Sequence, residues 1–109
     1  MDNYKRYLKE RYGRDLYFND LGFVSYSFLE EGNRLYIHDA FTRKEYRKSG
    51  VLKGFIDHVL KEFPKVKMLQ ADSDINDPNC VESMQTILSW KAKPIALLAD
   101  GRIVFEAKI

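Results

Sequence analysis

The apolar period of the sequence changes near its middle, and this change constrains the fold more than any other feature of the chain. Between Arg34 and Thr42 the side chains alternate as in a β-strand, whereas from Ser49 apolar residues recur every three or four positions until Pro64. The predicted strand presents two sets of residues on opposite faces: Leu35, Ile37, Asp39 and Phe41 on one, and Tyr36, His38 and Ala40 on the other. The sequence therefore predicts a strand, a short loop and a long amphipathic helix in succession.

The rest of the chain predicts two more helices, five more strands and a tight turn. In chain order these are Asn3–Tyr12 (helix), Asp15–Phe18, Gly22–Glu30, the turn Glu31–Asn33, Val66–Ala71, a helix from Asp77 to Ser89, Ile95–Ala99 and Ile103–Lys108. Asp77 and Pro78 fit an N-cap followed by proline at the first helical position. The buried stripe of that helix is predicted to be Val81, Met84 and Leu88. Asp100 and Gly101 predict the turn of a terminal hairpin, and the whole order predicts a mixed α/β sheet with helices on its faces.

Composition limits the classes of protein that this chain can represent. A chain of 109 residues that is 45% hydrophobic can bury one core, which predicts a single domain over residues 1–109. The net charge of +2 indicates no strong polyanion-binding field, and one cysteine, Cys80, excludes an intrachain disulfide and a pair of thiols for zinc. Met1 to Glu10 is too charged for a signal peptide, and the longest apolar run, Ile95–Ala99, is too short to span a membrane. We therefore expect a soluble, cytoplasmic protein without a metal.

The loop between the alternating strand and the long helix is rich in groups that attract anions. It runs through Arg47, Lys48, Ser49, Gly50, Val51, Leu52 and Lys53 to Gly54. Glycine lets the backbone approach a ligand closely, and the free N–H groups of a helix N-terminus favour an anion such as a pyrophosphate. The alternative is an ordinary strand-to-helix connection in which Gly50 eases the turn and the basic side chains are solvated.

The pattern Arg47-x-x-Gly50-x-Leu52 resembles the signature of the GCN5-related N-acetyltransferase (GNAT) family, which is Arg or Gln, two residues, Gly, one residue, then Gly or Ala. Leu52 departs from that signature and is expected to crowd the helix start. The order of elements from Gly22 to Ile109 is also similar to this family. The resemblance implies a mostly antiparallel sheet with splayed strands and helices on both faces. It also implies acetyl-coenzyme A (acetyl-CoA) as co-substrate, with backbone groups at Ala40, Phe41 and Thr42 along its pantetheine arm and Asn79 near the following helix.

The resemblance further implies a general base on the alternating strand, at a position that falls on His38 or Tyr36. His38 is the better candidate, because an imidazole can accept a proton from an ammonium group near neutral pH. A lone histidine in a strand can equally be a packed or surface residue, and Asp39 is expected on the opposite face in a structural role.

The tyrosine that protonates the departing thiolate in many family members has no counterpart in the helix that follows Asn79. Ser83 and Thr86 lie near its position, so either hydroxyl, or a water molecule, is the expected acid, although small polar residues on a helix usually face solvent. Cys80 as a covalent nucleophile is disfavoured. One basic helix stands where the family usually has a helix pair, which implies an open groove suited to a large acceptor.

The sequence leaves three functions open. The first is N-acetyl transfer to an amine, either a protein lysine or N-terminus or a small amine, by direct attack on acetyl-CoA. The second is a non-catalytic protein-binding module with the same fold, of viral or mobile-element origin, with or without CoA binding. The third, nucleic-acid binding through Lys5, Arg6, Lys9, Arg11 and Arg14, is disfavoured because one helix offers a small basic face. The many aromatic residues predict either a homodimer or a small core filled with bulky side chains.

Overall fold

The structure is a computed structural model that describes residues 1–47 and 49–109. It contains three α-helices and six β-strands. The helices are α1 (Asp2–Tyr12), α2 (Val51–Glu62) and α3 (Cys80–Ser89). The strands are β1 (Asp15–Asn19), β2 (Gly22–Leu29), β3 (Arg34–Thr42), β4 (Met68–Asp74), β5 (Lys93–Leu97) and β6 (Arg102–Lys108). Short 3-10 turns at Glu30–Gly32 and Lys44–Tyr46 connect them.

The six strands form one sheet in the order β1-β2-β3-β4-β6-β5. Within the described part of the chain, β3 and β4 run parallel and every other neighbouring pair runs antiparallel. The parallel pair is joined by α2, because a crossover between parallel strands needs a connection long enough to return to the starting edge. The mostly antiparallel mixed sheet predicted from the sequence is therefore confirmed.

Strands β3 and β4 diverge partway along their length. They pair from Arg34 and Met68 as far as Ile37 and Ala71. Beyond that point β3 continues to Thr42 beside β2, while β4 continues to Asp74 beside β6. A gap therefore opens between the carboxyl ends of the two parallel strands, which is where open α/β sheets place their ligands.

A bulge in β3 coincides with this divergence. Ser25 pairs with Asp39 and Tyr26 pairs with Ile37, so His38 is an extra residue that has no partner on β2. One extra residue reverses the alternation of side chains beyond it.

The predicted faces of β3 are therefore wrong after His38. Ala40 pairs with Val24, a fully buried core residue, and so lies on the face of Ile37. Asp39 and Phe41 consequently lie on the face of Tyr36, opposite to the face expected for Asp39. An inserted strand residue leaves no periodic signal in the sequence, and the simple alternation could not reveal it.

The helices cover both faces of the sheet, as expected. On one face α2 buries Phe55, Ile56 and Val59, and the ring of Tyr17 stacks on Phe55 with the centroids 5.5 Å apart. On the other face α1 buries Leu8. Full burial of each such side chain stabilises the fold by about 1.5–3 kcal/mol relative to exposure. These apolar contacts fix α2, and with it the loop that precedes α2, against the sheet.

Helix α3 differs from the prediction in both its start and its buried face. Asp77 caps a turn instead of the helix, because its Oδ1 accepts a hydrogen bond from the N–H of Asn79 at 2.8 Å, and the helix begins only at Cys80. Ile87, only 6% exposed, faces the core, whereas Val81 and Leu88 are 58% and 49% exposed. The predicted stripe is therefore wrong except for Met84, which packs partly buried against the core.

The remaining boundaries shift by a few residues. Strand β4 begins at Met68 instead of Val66, and β5 begins at Lys93 instead of Ile95. The terminal hairpin is confirmed, with β5 and β6 antiparallel and closed by a hydrogen bond from the N–H of Leu98 to the carbonyl of Arg102 at 2.8 Å. None of the helices in the described residues is long and apolar enough to cross a membrane.

Candidate functional site

The end of β3 and the loop before α2 are tied together by Arg47. Its Nε donates a hydrogen bond to the carbonyl of Thr42 at 3.0 Å, and its guanidinium lies 5.9 Å from the centroid of the Phe41 ring. The hydroxyl of Ser49 donates to the carbonyl of Tyr46. Lys48, also predicted to bind the cofactor, lies outside the described residues. Arg47 thus holds a positive charge beside the strand end that borders the gap.

Gly50 gives the start of α2 an open approach. It is the N-cap residue with φ of 83°, a left-handed conformation that residues with a side chain rarely adopt. Among the described residues, apart from its two chain neighbours, nothing lies within 4 Å of where its Cβ would be. The first bond of the helix joins the N–H of Gly54 to the carbonyl of Gly50 at 3.0 Å. The N–H groups of Val51, Leu52 and Lys53 therefore have no partner inside the helix, and they form a site that favours an anion.

Leu52 does not crowd this site, contrary to the expectation from the sequence. Its side chain and that of Val51 are half-buried and pack against the core. The additional bulk relative to Gly or Ala is accommodated in the core instead of over the N–H groups. Lys53 and Gly54 are exposed, so the first turn of α2 stays open to solvent on its outer side.

His38 lies against Ser27 and Tyr36, close to the point where β3 and β4 diverge. Its Nε2 is 2.7 Å from the hydroxyl oxygen of Ser27, and the centroids of the His38 and Tyr36 rings are 4.7 Å apart. The expectation that Tyr36 and His38 share a face is therefore confirmed. Burial, followed by the positive charge of Arg14, lowers the pKa of His38 below its usual value of 6.5. The imidazole is consequently neutral at neutral pH, the form that can accept a proton.

Tyr36 is held as a protonated phenol. Its hydroxyl donates to Oδ2 of Asp72 at 2.5 Å, and the same oxygen accepts from Arg102 at 3.1 Å. Burial and the hydrogen bond to Asp72 raise the pKa of Tyr36 to about 12. A phenol that retains its proton this strongly is a poor base at neutral pH, which leaves His38 as the stronger candidate of the two.

Four residues around His38 and Tyr36 were not singled out from the sequence in this role: Arg14, Ser27, Asp72 and Arg102. Ser27 is opposite Tyr36 on β2, and Asp72 follows the last pair of β3 and β4. A polar residue just beyond a predicted parallel strand was the available signal for Asp72. Ser27 and Arg102 become visible only when the order and register of the strands are known.

The candidates on α3 form a separate group. The hydroxyl of Thr86 donates to the carbonyl of Glu82 at 3.0 Å, and the exposed Ser83 donates its N–H to the carbonyl of Asn79 at 3.1 Å. Asn79 is the N-cap of α3 and is exposed. In the described residues no hydrogen bond joins these three to His38 or Tyr36. Ser73 of β4 anchors the start of α3 by donating to the carbonyl of Cys80 at 3.4 Å.

Comparison with solved structures relates this arrangement to one class of protein. An acetyltransferase from Thermus thermophilus superposes with a TM-score of 0.77 at 9% identity, over 95% of this chain and 70% of the other. The PaiA N-acetyltransferase of Thermoplasma acidophilum, solved with coenzyme A, gives 0.69 at 13% identity over 94% and 66%. A protein of Desulfovibrio desulfuricans assigned to the GNAT family of acetyltransferases gives 0.69 at 12% identity over 84% and 64%. No protein-family model and no curated protein matches the sequence.

The chain has the fold of the GCN5-related N-acetyltransferases. It spans just under two thirds of the Desulfovibrio desulfuricans protein, and the identities of 9–13% establish the fold alone. The fold predicted from the loop signature and the order of elements is therefore confirmed.

Proposed function

We propose that the protein is an N-acyltransferase that uses acetyl-CoA as co-substrate and an amine as acceptor. The observation that carries the proposal is the gap beyond Ile37 and Ala71, followed directly along the chain by the open N-terminus of α2. A long thioester with a pyrophosphate at its other end matches both parts. The acetyltransferase fold of the solved structures supports the same conclusion.

The residues around the gap and the loop fit such a co-substrate. The free N–H groups of Val51, Leu52 and Lys53, with Arg47 beside them, would hold the pyrophosphate. Backbone groups of Ala40, Phe41 and Thr42 would lie along the pantetheine arm, and Asn79 would contact it from the start of α3. The co-substrate supplies an acyl group activated as a thioester.

His38 would act as the general base. It takes a proton from the acceptor ammonium, directly or through water, and the free amine nitrogen then attacks the thioester carbonyl carbon. The carbon–sulfur bond breaks and the nitrogen loses its second proton as the amide forms. The thiolate gains a proton in exchange, relayed through water or through the hydroxyl of Ser83 or Thr86. His38 suits this role because burial keeps it neutral at working pH. A protein amine is the acceptor best suited to an open groove, and a cytoplasmic location would supply both substrates.

Isothermal titration with acetyl-CoA tests the binding step. Gly50→Glu places a carboxylate at the pyrophosphate site, and combined with Arg47→Ala it should weaken binding by roughly tenfold or more. Gly13→Glu is the matched control, because Gly13 also has a left-handed φ, of 65°, and an equally open Cβ position, but it lies at the end of α1. Micromolar binding by the wild type that survives in Gly13→Glu and is lost in the double variant would support the proposal. Absence of wild-type binding would refute it.

A second candidate function is binding of CoA without catalysis of acyl transfer. Thr86 uses its hydroxyl proton in a bond to Glu82, and α3 contains no tyrosine to protonate a thiolate. Release of free CoA thiol, measured with a disulfide reagent in a Cys80→Ser background, separates the two because Cys80 is the only cysteine. Thiol release that needs both an amine and His38 supports the enzyme. Tight binding without release supports the binding module.

A further inference from the structure

Five aromatic rings form a continuous row from α1 across β2 to the end of β3. In order they are Tyr12, Tyr7, Tyr4, Phe23 and Phe41, here called the aromatic strip. Neighbouring ring centroids are 5.7, 6.5, 6.1 and 6.0 Å apart. Three separate elements contribute to the row, so it exists only in the folded chain.

Most of this strip faces solvent. Tyr12 is 58% exposed, Tyr7 46%, Phe41 45% and Tyr4 37%. Rings that serve only to hold α1 on the sheet would gain more from burial, since the apolar contribution to stability grows with the area removed from water. A run of exposed rings on neighbouring elements indicates a contact surface.

Arginine side chains accompany the strip at both ends. The guanidinium of Arg14 lies 5.3 Å from the Tyr12 centroid, and that of Arg47 lies 5.9 Å from the Phe41 centroid. Arg11 is exposed and follows Tyr7 by four positions on α1, which puts it on the same side of the helix. Positive charge therefore accompanies the rings at both ends of the row, beside Tyr12 and Tyr7 and beside Phe41.

We propose that the aromatic strip binds single-stranded nucleic acid. Exposed aromatic rings stack on unpaired bases irrespective of sequence, and arginine combines contact with phosphates and stacking on planar groups. Two of the four neighbouring ring pairs are stacked, at 19° and 29°, and two are edge-to-face, both at 74°. A base would therefore contact the solvent-exposed faces and edges of the rings and would not insert between neighbouring rings.

The folded structure weakens the argument that the sequence alone makes against a nucleic-acid partner. The basic helix alone offers little surface, but the strip adds rings from β2 and β3 and an arginine from the loop before α2. A peptide without acidic residues would match the rings alone, whereas a nucleic acid carries a base for stacking and a phosphate for arginine in every nucleotide. A duplex keeps its bases stacked inside and offers nothing for the rings to contact.

Fluorescence anisotropy with labelled oligouridylate of about 12 nucleotides tests the proposal, with oligothymidylate and a duplex of the same length as further probes. Tyr7→Ala combined with Tyr12→Ala should weaken binding of a single strand by roughly tenfold or more. Tyr46→Ala is the matched control, because Tyr46 is also exposed, at 40%, and has Arg43 5.9 Å from its centroid, but lies outside the strip. Tyr7→Phe keeps the ring and should bind like the wild type, which separates stacking from loss of fold.

The dependence on salt and on CoA completes the test. Three arginine contacts predict a slope of about −2 for the logarithm of affinity against that of salt concentration, at about −0.7 per contact. Tighter binding of oligouridylate than of oligothymidylate would identify RNA as the ligand. Equal affinities would mean that single-stranded RNA and single-stranded DNA both bind. The proposal is overturned by absence of single-strand binding, by stronger duplex binding, or by equal losses in Tyr46→Ala. The proposal would also be overturned if CoA displaced the oligonucleotide while the tyrosine substitutions left its affinity unchanged. That result would place the oligonucleotide at the loop before α2 that is proposed to bind pyrophosphate. All these measurements are made without an acyl donor, so they stand or fall independently of the proposed transferase.

Discussion

The surroundings of His38 follow from the bulge in β3, where this strand contains one residue more than the facing part of β2. As the extra residue of the β3 bulge it lies beside Ser27 and Tyr36, while Asp39 is also brought to that side of the sheet. Asp39 in turn lies 3.9 Å from Arg14, which places a positive charge near the imidazole. The lowered pKa of His38 follows first from burial and then from this positive charge, and the effect of the charge can be tested directly.

Arg14→Gln should raise the pKa of His38 towards its usual value of 6.5, because it removes a positive charge that opposes protonation. NMR titration of the histidine ring resonances measures the effect, with His58→Gln used to assign the two histidines of the chain. Arg11→Gln, three residues earlier in the last turn of α1, is the matched control and should leave the His38 titration unchanged. An equal shift in both arginine variants would contradict the assigned cause.

The same shift predicts how stability depends on pH. The unfolded chain protonates its histidine near pH 6.5, before the folded chain does, so the folded state is disfavoured as the pH falls below that value. His38→Gln should therefore lose less stability than the wild type between pH 7 and pH 5, as measured by urea unfolding. Parallel losses in both proteins would show that other groups dominate this range.

At the scale of secondary-structure elements, α3 shows which features the sequence pattern predicts and which it does not. Its end at Ser89 was predicted correctly, but its start and buried face were not. Asp77 followed by Pro78 fits both a helix N-cap and a polar turn, and the chain uses the turn. The later start leaves Ile87 pointing inward and exposes Val81 and Leu88.

Ile87→Ala should lower the free energy of unfolding by about 2–5 kcal/mol, because it leaves a cavity in the core. Val81→Ala removes apolar atoms from a side chain that is 58% exposed and should change stability by no more than about 0.5 kcal/mol. Urea unfolding with a fixed m-value measures both. Comparable losses at the two positions would favour the stripe predicted from the sequence over the observed packing.

The same contrast holds for the other elements and for the site. Gly13, Gly22 and Pro64 limit their elements through backbone geometry, so α1, β2 and α2 were placed within a residue or two. His38 and Tyr36 were found through the family resemblance. Ser27 and Asp72 needed the pairing of β2 with β3 and of β3 with β4, and that pairing depends on contacts between distant parts of the chain.

At the scale of the whole molecule, the two faces of the sheet have different characters. One face carries the apolar core under α2, with Ile87 of α3 in the same cluster. On the other face a polar network crosses the sheet from β3 to β6. In it Arg34 donates to Glu106 at 2.7 Å and to Gln70 at 3.1 Å, near the bonds that join Tyr36, Asp72 and Arg102. The candidate base His38 and the aromatic strip both belong to this second face.

The sheet edge formed by β5 affects how the whole molecule can associate with other chains. Strand β5 forms one edge, and all five of its residues are exposed, including Leu97 at 70%. An exposed apolar edge invites pairing with another chain, but here Lys93 and Pro94 open the strand and a bulge at Ile95 interrupts its register. Charge, a missing N–H group and the bulge all oppose the addition of a further strand.

Replacing Lys93 with Thr and Pro94 with Val should therefore promote self-association through β5. The change removes a charge and restores a backbone N–H on a strand that also exposes Ile95 and Leu97. Light scattering after size-exclusion chromatography, repeated over a range of protein concentrations, should show a mass that rises with concentration. Lys61→Thr removes one charge from the exposed side of α2 and should behave like the wild type. A homodimer formed through another surface would appear in all three proteins, and equal masses throughout would show that β5 does not govern assembly.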